Sequence, residues 1–162
     1  MTLGFTTAIN HKPTHFVEKI WTGFPLAFFK ETWDLEYTTP YYEKFGYPPE
    51  PIKPSPKIHS IRVDEKNRWK VGMNIHFVVG NRTKHRFQFA PIIPVTRIQK
   101  IEIEYLKEGE EPNIFIDGLL LYEQKELDRL ALNDGFESYD EFLTFFKEDF
   151  TGNLIQWTNF KY

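Results

Sequence analysis

Lys57, Ser60 and Arg62 lie within one stretch of six residues, and Asp134 follows far downstream in an Asn133-Asp134-Gly135 turn. These are the side-chain types of a serine/lysine hydrolytic site. A serine hydroxyl becomes a nucleophile only when a base takes its proton, and a lysine serves if burial or a neighbouring cation keeps it neutral. Arg62 is a suitable neighbour. Positions 60 and 62 share a face in a strand, which lets Arg62 hold a phosphate or carbonyl oxygen beside Ser60. Lys57 is three residues from Ser60, so the two converge only if Lys57 belongs to the turn entering the strand. Pro54 and Pro56 supply such a turn. Asp134 is then placed to orient Lys57 or carry a proton. Each residue also has a purely structural reading. Lys57 can be a solvated charge, Ser60 a tolerated polar strand residue, Arg62 an ion-pair partner for acidic residues, and Asp134 a helix stop bonded to its own turn.

Other chemistries find less material. The 162 residues include no cysteine, which excludes disulfides, thiolate metal sites and a cysteine nucleophile. The five histidines, His11, His15, His59, His76 and His85, show no ligand spacing with carboxylates, so neither a metal nor a cofactor is expected. His59 adjoins Ser60 but faces the other way in a strand, which makes it a poor triad member.

Positioning these side chains requires a framework of strands and helices, and the chain is long enough for one domain, 1–162. Residues 3–9 are rich in β-formers. A helix over about 13–22 is expected from Pro13 in its first turn, the spacing of Phe16, Val17, Ile20 and Trp21, and Gly23 as its cap. Residues 24–56 hold seven prolines and nine aromatics from Phe24 to Tyr47, too much apolar surface for a disordered linker. An ordered insertion is expected there, with a short helix around 26–33. Its rings either pack on the framework, stack on bases or form a protein interface. Strands are expected at 58–63, 73–79, 85–89 and 98–105, the last with Ile101, Ile103 and Tyr105 inward. Asp117-Gly118 signals a tight hairpin turn. A helix carrying Leu127, Leu130 and Ala131 halts at Asn133-Asp134-Gly135. Ser138 and Glu141 form a capping box for a helix that buries Phe142, Phe145 and Phe146, and a strand over 154–160 closes the chain.

Charge is segregated along the chain. Residues 57–100 carry ten Lys+Arg and two Asp+Glu, whereas 101–162 carry five and fifteen. If the basic middle forms one surface, it attracts a polyanion such as RNA despite the overall charge of -3. Otherwise its strands pair with acidic helices. No apolar run reaches the length of a membrane span and no signal peptide is evident, so a soluble, cytoplasmic protein with no membrane partner is expected.

In order and spacing, the Lys57-Ile58-His59-Ser60-Ile61-Arg62 strand, the Trp69-Lys70-Val71-Gly72 turn and Asn133-Asp134-Gly135-Phe136 ahead of Phe142 resemble the ASCH domain family. The resemblance covers residues 3–23 and 57–160 and leaves 24–56 as an insertion. It implies an α+β fold, a small, mostly antiparallel PUA-like β-barrel with helices packed at its ends and a cleft for RNA or a modified nucleoside. Lys57, Ser60 and Arg62 are expected as ligand contacts, joined by Arg82 and Arg86 of the basic middle. Some small members are amidohydrolases acting on acetylated cytidine, and their Lys, Thr and Glu correspond to Lys57, Ser60 and Asp134. A module that recruits a protein partner through 24–56 is the third expectation.

Overall fold

The computed structural model describes residues 1–48, 54–107 and 110–162; residues 49–53 of the 24–56 stretch lie outside the described residues. In chain order the elements are β1 (Thr2–Phe5), β2 (Ala8–Ile9), β3 (Lys12–Pro13), α1 (Phe16–Thr22), α2 (Thr39–Phe45), β4 (His59–Arg62), β5 (Asn74–Val79), β6 (Phe87–Gln88), β7 (Ile93–Pro94), β8 (Arg97–Glu104), β9 (Asn113–Ile116), β10 (Leu119–Leu121), α3 (Gln124–Asn133), α4 (Tyr139–Phe145) and β11 (Phe150–Gln156). They form two compact units, residues 1–56 with 74–93 and residues 57–73 with 94–162.

In the first unit β1 runs parallel to β5, Leu3 opposite Phe77 and Phe5 opposite Val79, and β6 returns antiparallel on β5. The helix expected from residue 13 begins three residues later. Ala8 pairs with Pro13 and Ile9 with Lys12, so Pro13 is spent on a hairpin closed by Asn10 and His11. Both turn residues have positive φ, 48° and 63°, as a type I′ turn demands. Gly23 does end α1, its N–H bonding the Lys19 and Ile20 carbonyls at 3.1 and 3.0 Å. The 24–48 stretch contains a 3-10 turn over Leu26–Phe28, a π-type turn over Asp34–Thr38 and then α2, in place of a helix at 26–33. Several of its rings pack inward around Trp21, which meets Trp33 and Tyr41 edge to face at 6.4 and 5.5 Å. Phe24 does the same to Phe77 of β5 at 5.8 Å. The indole N–H of Trp21 donates to the Phe89 carbonyl at 2.8 Å, so the largest ring of the cluster is buried with its polar atom satisfied.

The second unit is a five-stranded antiparallel sheet in the order β10-β9-β8-β11-β4, with α3 and α4 contributing to its core. Alternation along β8 puts Gln99, Ile101 and Ile103 inside, where the isoleucines join Leu154, Leu130, Ala131 and Phe142. Tyr105 falls just past the strand and donates its hydroxyl to the Phe146 carbonyl at 2.7 Å. Asp117 and Gly118, both at positive φ, close the β9–β10 hairpin as expected. The closing strand lies earlier than 154–160, because β11 pairs with β8 along its whole length, from Phe150 opposite Ile103 to Gln156 opposite Arg97.

The structure is α+β with mostly antiparallel sheets. The β1/β5/β6 ladder and the five-stranded ladder are separate, and no closed barrel is formed among the described residues. No helix among these residues is long and apolar enough to cross a membrane.

Candidate functional site

The second unit brings Lys57 and Asp134 together through the end of α3. Gly135, at φ 94°, adopts the left-handed conformation that only glycine takes cheaply, and its N–H bonds the Leu132 carbonyl while that of Phe136 bonds Ala131. This is a Schellman cap, and it explains the Asp-Gly-Phe order: Asp134 is the C-cap, Gly135 the left-handed residue and Phe136 the apolar anchor. The turn presents Asp134 to β4. There Lys57 Nζ donates to Asp134 Oδ1 at 2.8 Å and also to the Asp134 carbonyl, and the Ile61 N–H reaches the same Oδ1 at 3.2 Å. A cation on the last carbonyls of a helix is favoured by the helix dipole as well as by the carboxylate.

The third side chain at this carboxylate is His59, not Ser60. His59 Nδ1 stands 3.4 Å from Asp134 Oδ1, outside good hydrogen-bond geometry, and Nε2 lies 2.8 Å from the Tyr162 hydroxyl. Asn133 Nδ2 donates to that hydroxyl at 2.9 Å, so Tyr162 joins the cluster. Alternation along β4 sends Ile61 and His59 to the helix side and Ser60 to the opposite side, where it pairs with Ile155 of β11. The signal for His59 was present in that alternation. Tyr162 gave none, since its role depends on where the residues after β11 are carried.

The electrostatics of the cluster follow from burial. Lys57 is 1 % exposed, His59 0 %, Ser60 3 % and Asp134 6 %. Burial alone would raise the Asp134 pKa, but the opposing pull, led by the Lys57 ammonium, holds the carboxyl below its usual value. Burial lowers the His59 pKa against the pull of Asp134, so the ring is neutral. Burial pushes the Tyr162 hydroxyl up. Arg62, half-buried at the end of β4, is likewise lowered by burial, with Asp134 opposing. A lysine charge-paired inside the protein is a tie between β4 and α3, not a free base.

Arg82 and Arg86 belong to the first unit, in the loop between β5 and β6. Arg82, Thr83, Lys84, His85 and Arg86 are all exposed. Thr83 holds this loop in shape: its hydroxyl donates to the Gly80 carbonyl at 2.7 Å and accepts from the His85 N–H at 3.1 Å. Lys44 of α2 adds a fourth cation, its Nζ 5.9 Å from the ring centres of Phe45 and Phe87. Beside the loop an open groove of about 530 Å³ is lined by residues that include Gly4, Thr6, Thr7, Phe45, Asn81 and Arg82. Sequence reasoning named Arg82 and Arg86 but missed Lys44, Phe45 and the threonines, which only the fold brings to them.

The basic middle is divided between the two units, 74–93 in the first and 57–73 with 94–100 in the second. By sequence, the first unit carries eight Lys+Arg and six Asp+Glu, the second twelve and seventeen. No three His, Asp or Glu side chains among the described residues converge as metal ligands. The chain matches no model of a known protein family, no curated protein and no solved structure.

Proposed function

We propose that this chain binds single-stranded RNA or a nucleotide-like ligand, with the Arg82–Arg86 loop and its groove as the contact surface. The observation that carries this reading is the exposed cationic loop, ordered by Thr83 and opening on a groove lined by Thr6, Thr7 and Phe45. Guanidinium and ammonium groups take phosphates, hydroxyls and backbone groups fix them, and a ring accepts a base face. An ASCH-type, PUA-like fold is part of the proposal. Its support is the meeting of Lys57 and Asp134, motif positions 77 residues apart, at one carboxylate.

The test is retention of a short single-stranded RNA across a salt series. Affinity is expected to fall steeply with salt through counterion release, and Arg82→Ala/Arg86→Ala to lower the slope by about one unit per lost contact. Salt-independent binding, or a double variant that binds as the parent does, ends the proposal. Hydrolysis of acetylated cytidine by Lys57, Ser60 and Asp134 has the same Lys57–Asp134 meeting in its favour, and it requires Lys57 to leave its carboxylate and to reach Ser60 on the other face of β4. No release of cytidine at enzyme excess disposes of it.

A further inference from the structure

The first unit also carries a small aromatic pocket of about 260 Å³. Glu18, Trp21 and Thr22 reach it from α1, where positions i, i+3 and i+4 share one face. Tyr42 of α2 and Phe29, just past the 3-10 turn, bring two more rings. The Trp21 and Tyr42 rings stand at 83° with centres 6.0 Å apart, which makes a right-angled corner. Hydrogen bonds and stacking fix both of these walls. The Trp21 indole N–H is spent on the Phe89 carbonyl at 2.8 Å, and Tyr47 stacks on Tyr42 with centres 4.7 Å apart. The Tyr42 hydroxyl bonds Glu18, and burial followed by the Glu18 charge pushes it up to about 12, so it stays neutral. Glu18 Oε2 is shut off from water. The carboxylate therefore acts on the pocket through its charge rather than by contact.

We infer that this pocket is an aromatic cage for a quaternary ammonium group, carried by a choline-like small molecule or by a trimethylated lysine side chain. The face of an aromatic ring is negative, so rings grouped about one site attract a cation, and a carboxylate behind them adds to the field. A quaternary ammonium has no N–H and asks the pocket for no acceptor. A primary ammonium carries three N–H donors, and the walls do not serve them: Trp21 only donates and the Tyr42 hydroxyl is engaged with Glu18. Volume points the same way. About 260 Å³ lies below the range of roughly 300–1,000 Å³ for drug-sized ligands and suits a compact head group. The pocket shares no described lining residue with the groove beside Arg82, so the inference stands apart from RNA binding.

NMR titration of the full chain tests the inference with two pairs of probes. One pair is choline and its neutral tert-butyl analogue, in which carbon replaces the nitrogen; the other is a short peptide with trimethyllysine and the same peptide with unmodified lysine. Within at least one pair the quaternary probe is expected to bind about tenfold or more tightly, as a desolvated cation–π contact allows. Phe29→Ala, at a ring that is 40 % exposed, is expected to weaken that probe about fivefold or more while melting stays near the parent's. Glu18→Gln keeps an acceptor for Tyr42 and is expected to weaken the cation but not the neutral analogue. Preference for the peptide assigns the cage to a protein side chain and preference for choline to a free small molecule, and either upholds it. Equal binding within both pairs, quaternary binding untouched by Phe29→Ala or by Glu18→Gln, or no quaternary binding at all overturns the cage.

Discussion

Lys57 in the second unit and the Arg82–Arg86 loop in the first use positive charge in opposite ways. In the second unit Lys57 is enclosed, its ammonium committed to Asp134 and to the end of α3. In the first unit Arg82, Lys84 and Arg86 are exposed and the interior is held by rings, with Trp21 at the centre. A cation inside contributes to stability only while its partner remains, whereas a cation outside is free to meet a ligand. Residue type does not separate the two cases; the burial of the surrounding backbone does.

The strongest way to break this contrast is to remove one half of the buried pair. Asp134→Asn leaves the Lys57 ammonium inside without its counter-charge, at an expected cost of about 3–5 kcal/mol in urea unfolding. Lys57→Met/Asp134→Leu, which removes both charges, is expected to be more stable than the single variant. If the single variant unfolds like the parent, Lys57 is not held as described. In the first unit Trp33→Ala deletes a ring that is 7 % exposed and contacts Trp21, Phe24 and Phe29. A loss of about 3 kcal/mol is expected, at the low end for buried tryptophan. A neutral outcome there would return the 24–48 rings to the surface.

Acid sharpens the comparison because its effect is traced to groups of the second unit. Burial lowers the His59 pKa from 6.5, so the unfolded chain binds its proton first and stability falls as pH drops below about 6.5. Asp134, held below 3.8, adds a further loss as pH falls beneath that value, where the unfolded carboxyl protonates first. His59→Gln is expected to flatten the upper limb of a stability-against-pH curve and to leave the lower one. An unchanged upper limb would mean that the proton is taken up elsewhere.

Much of the second unit was legible in the sequence because its signals are local. Alternation at Ile101 and Ile103, Asp117-Gly118 at the hairpin and Gly135 after α3 each determine their own few residues of backbone. The first unit was harder to read. Pro13 suits a first helical turn, but the pair Asn10-His11 took the left-handed turn that closes a hairpin, and that choice outweighed it. The candidate site divided in the same manner. Lys57 and Asp134 were readable as motif positions, yet which face of β4 the lysine joins was decided by the Schellman turn that delivers Asp134. The groove beside Arg82 draws on β1, α2 and the β5–β6 loop, and no spacing in the chain announces that combination.

The smallest expected change in stability belongs to the exposed cations, and it is the most discriminating. Arg82→Ala/Arg86→Ala removes two side chains that lie at the surface, so unfolding is expected to shift by no more than about 0.5 kcal/mol. Thr83 keeps its bonds to Gly80 and His85, and the loop therefore retains its shape. RNA affinity and its salt dependence are expected to fall in the same variant, since both charges face solvent where a phosphate would stand. Measured side by side, urea unfolding and RNA retention separate the two roles. A large stability loss with unchanged binding would place Arg82 and Arg86 with Lys57, as cations that hold the fold, and the contrast between the units would disappear.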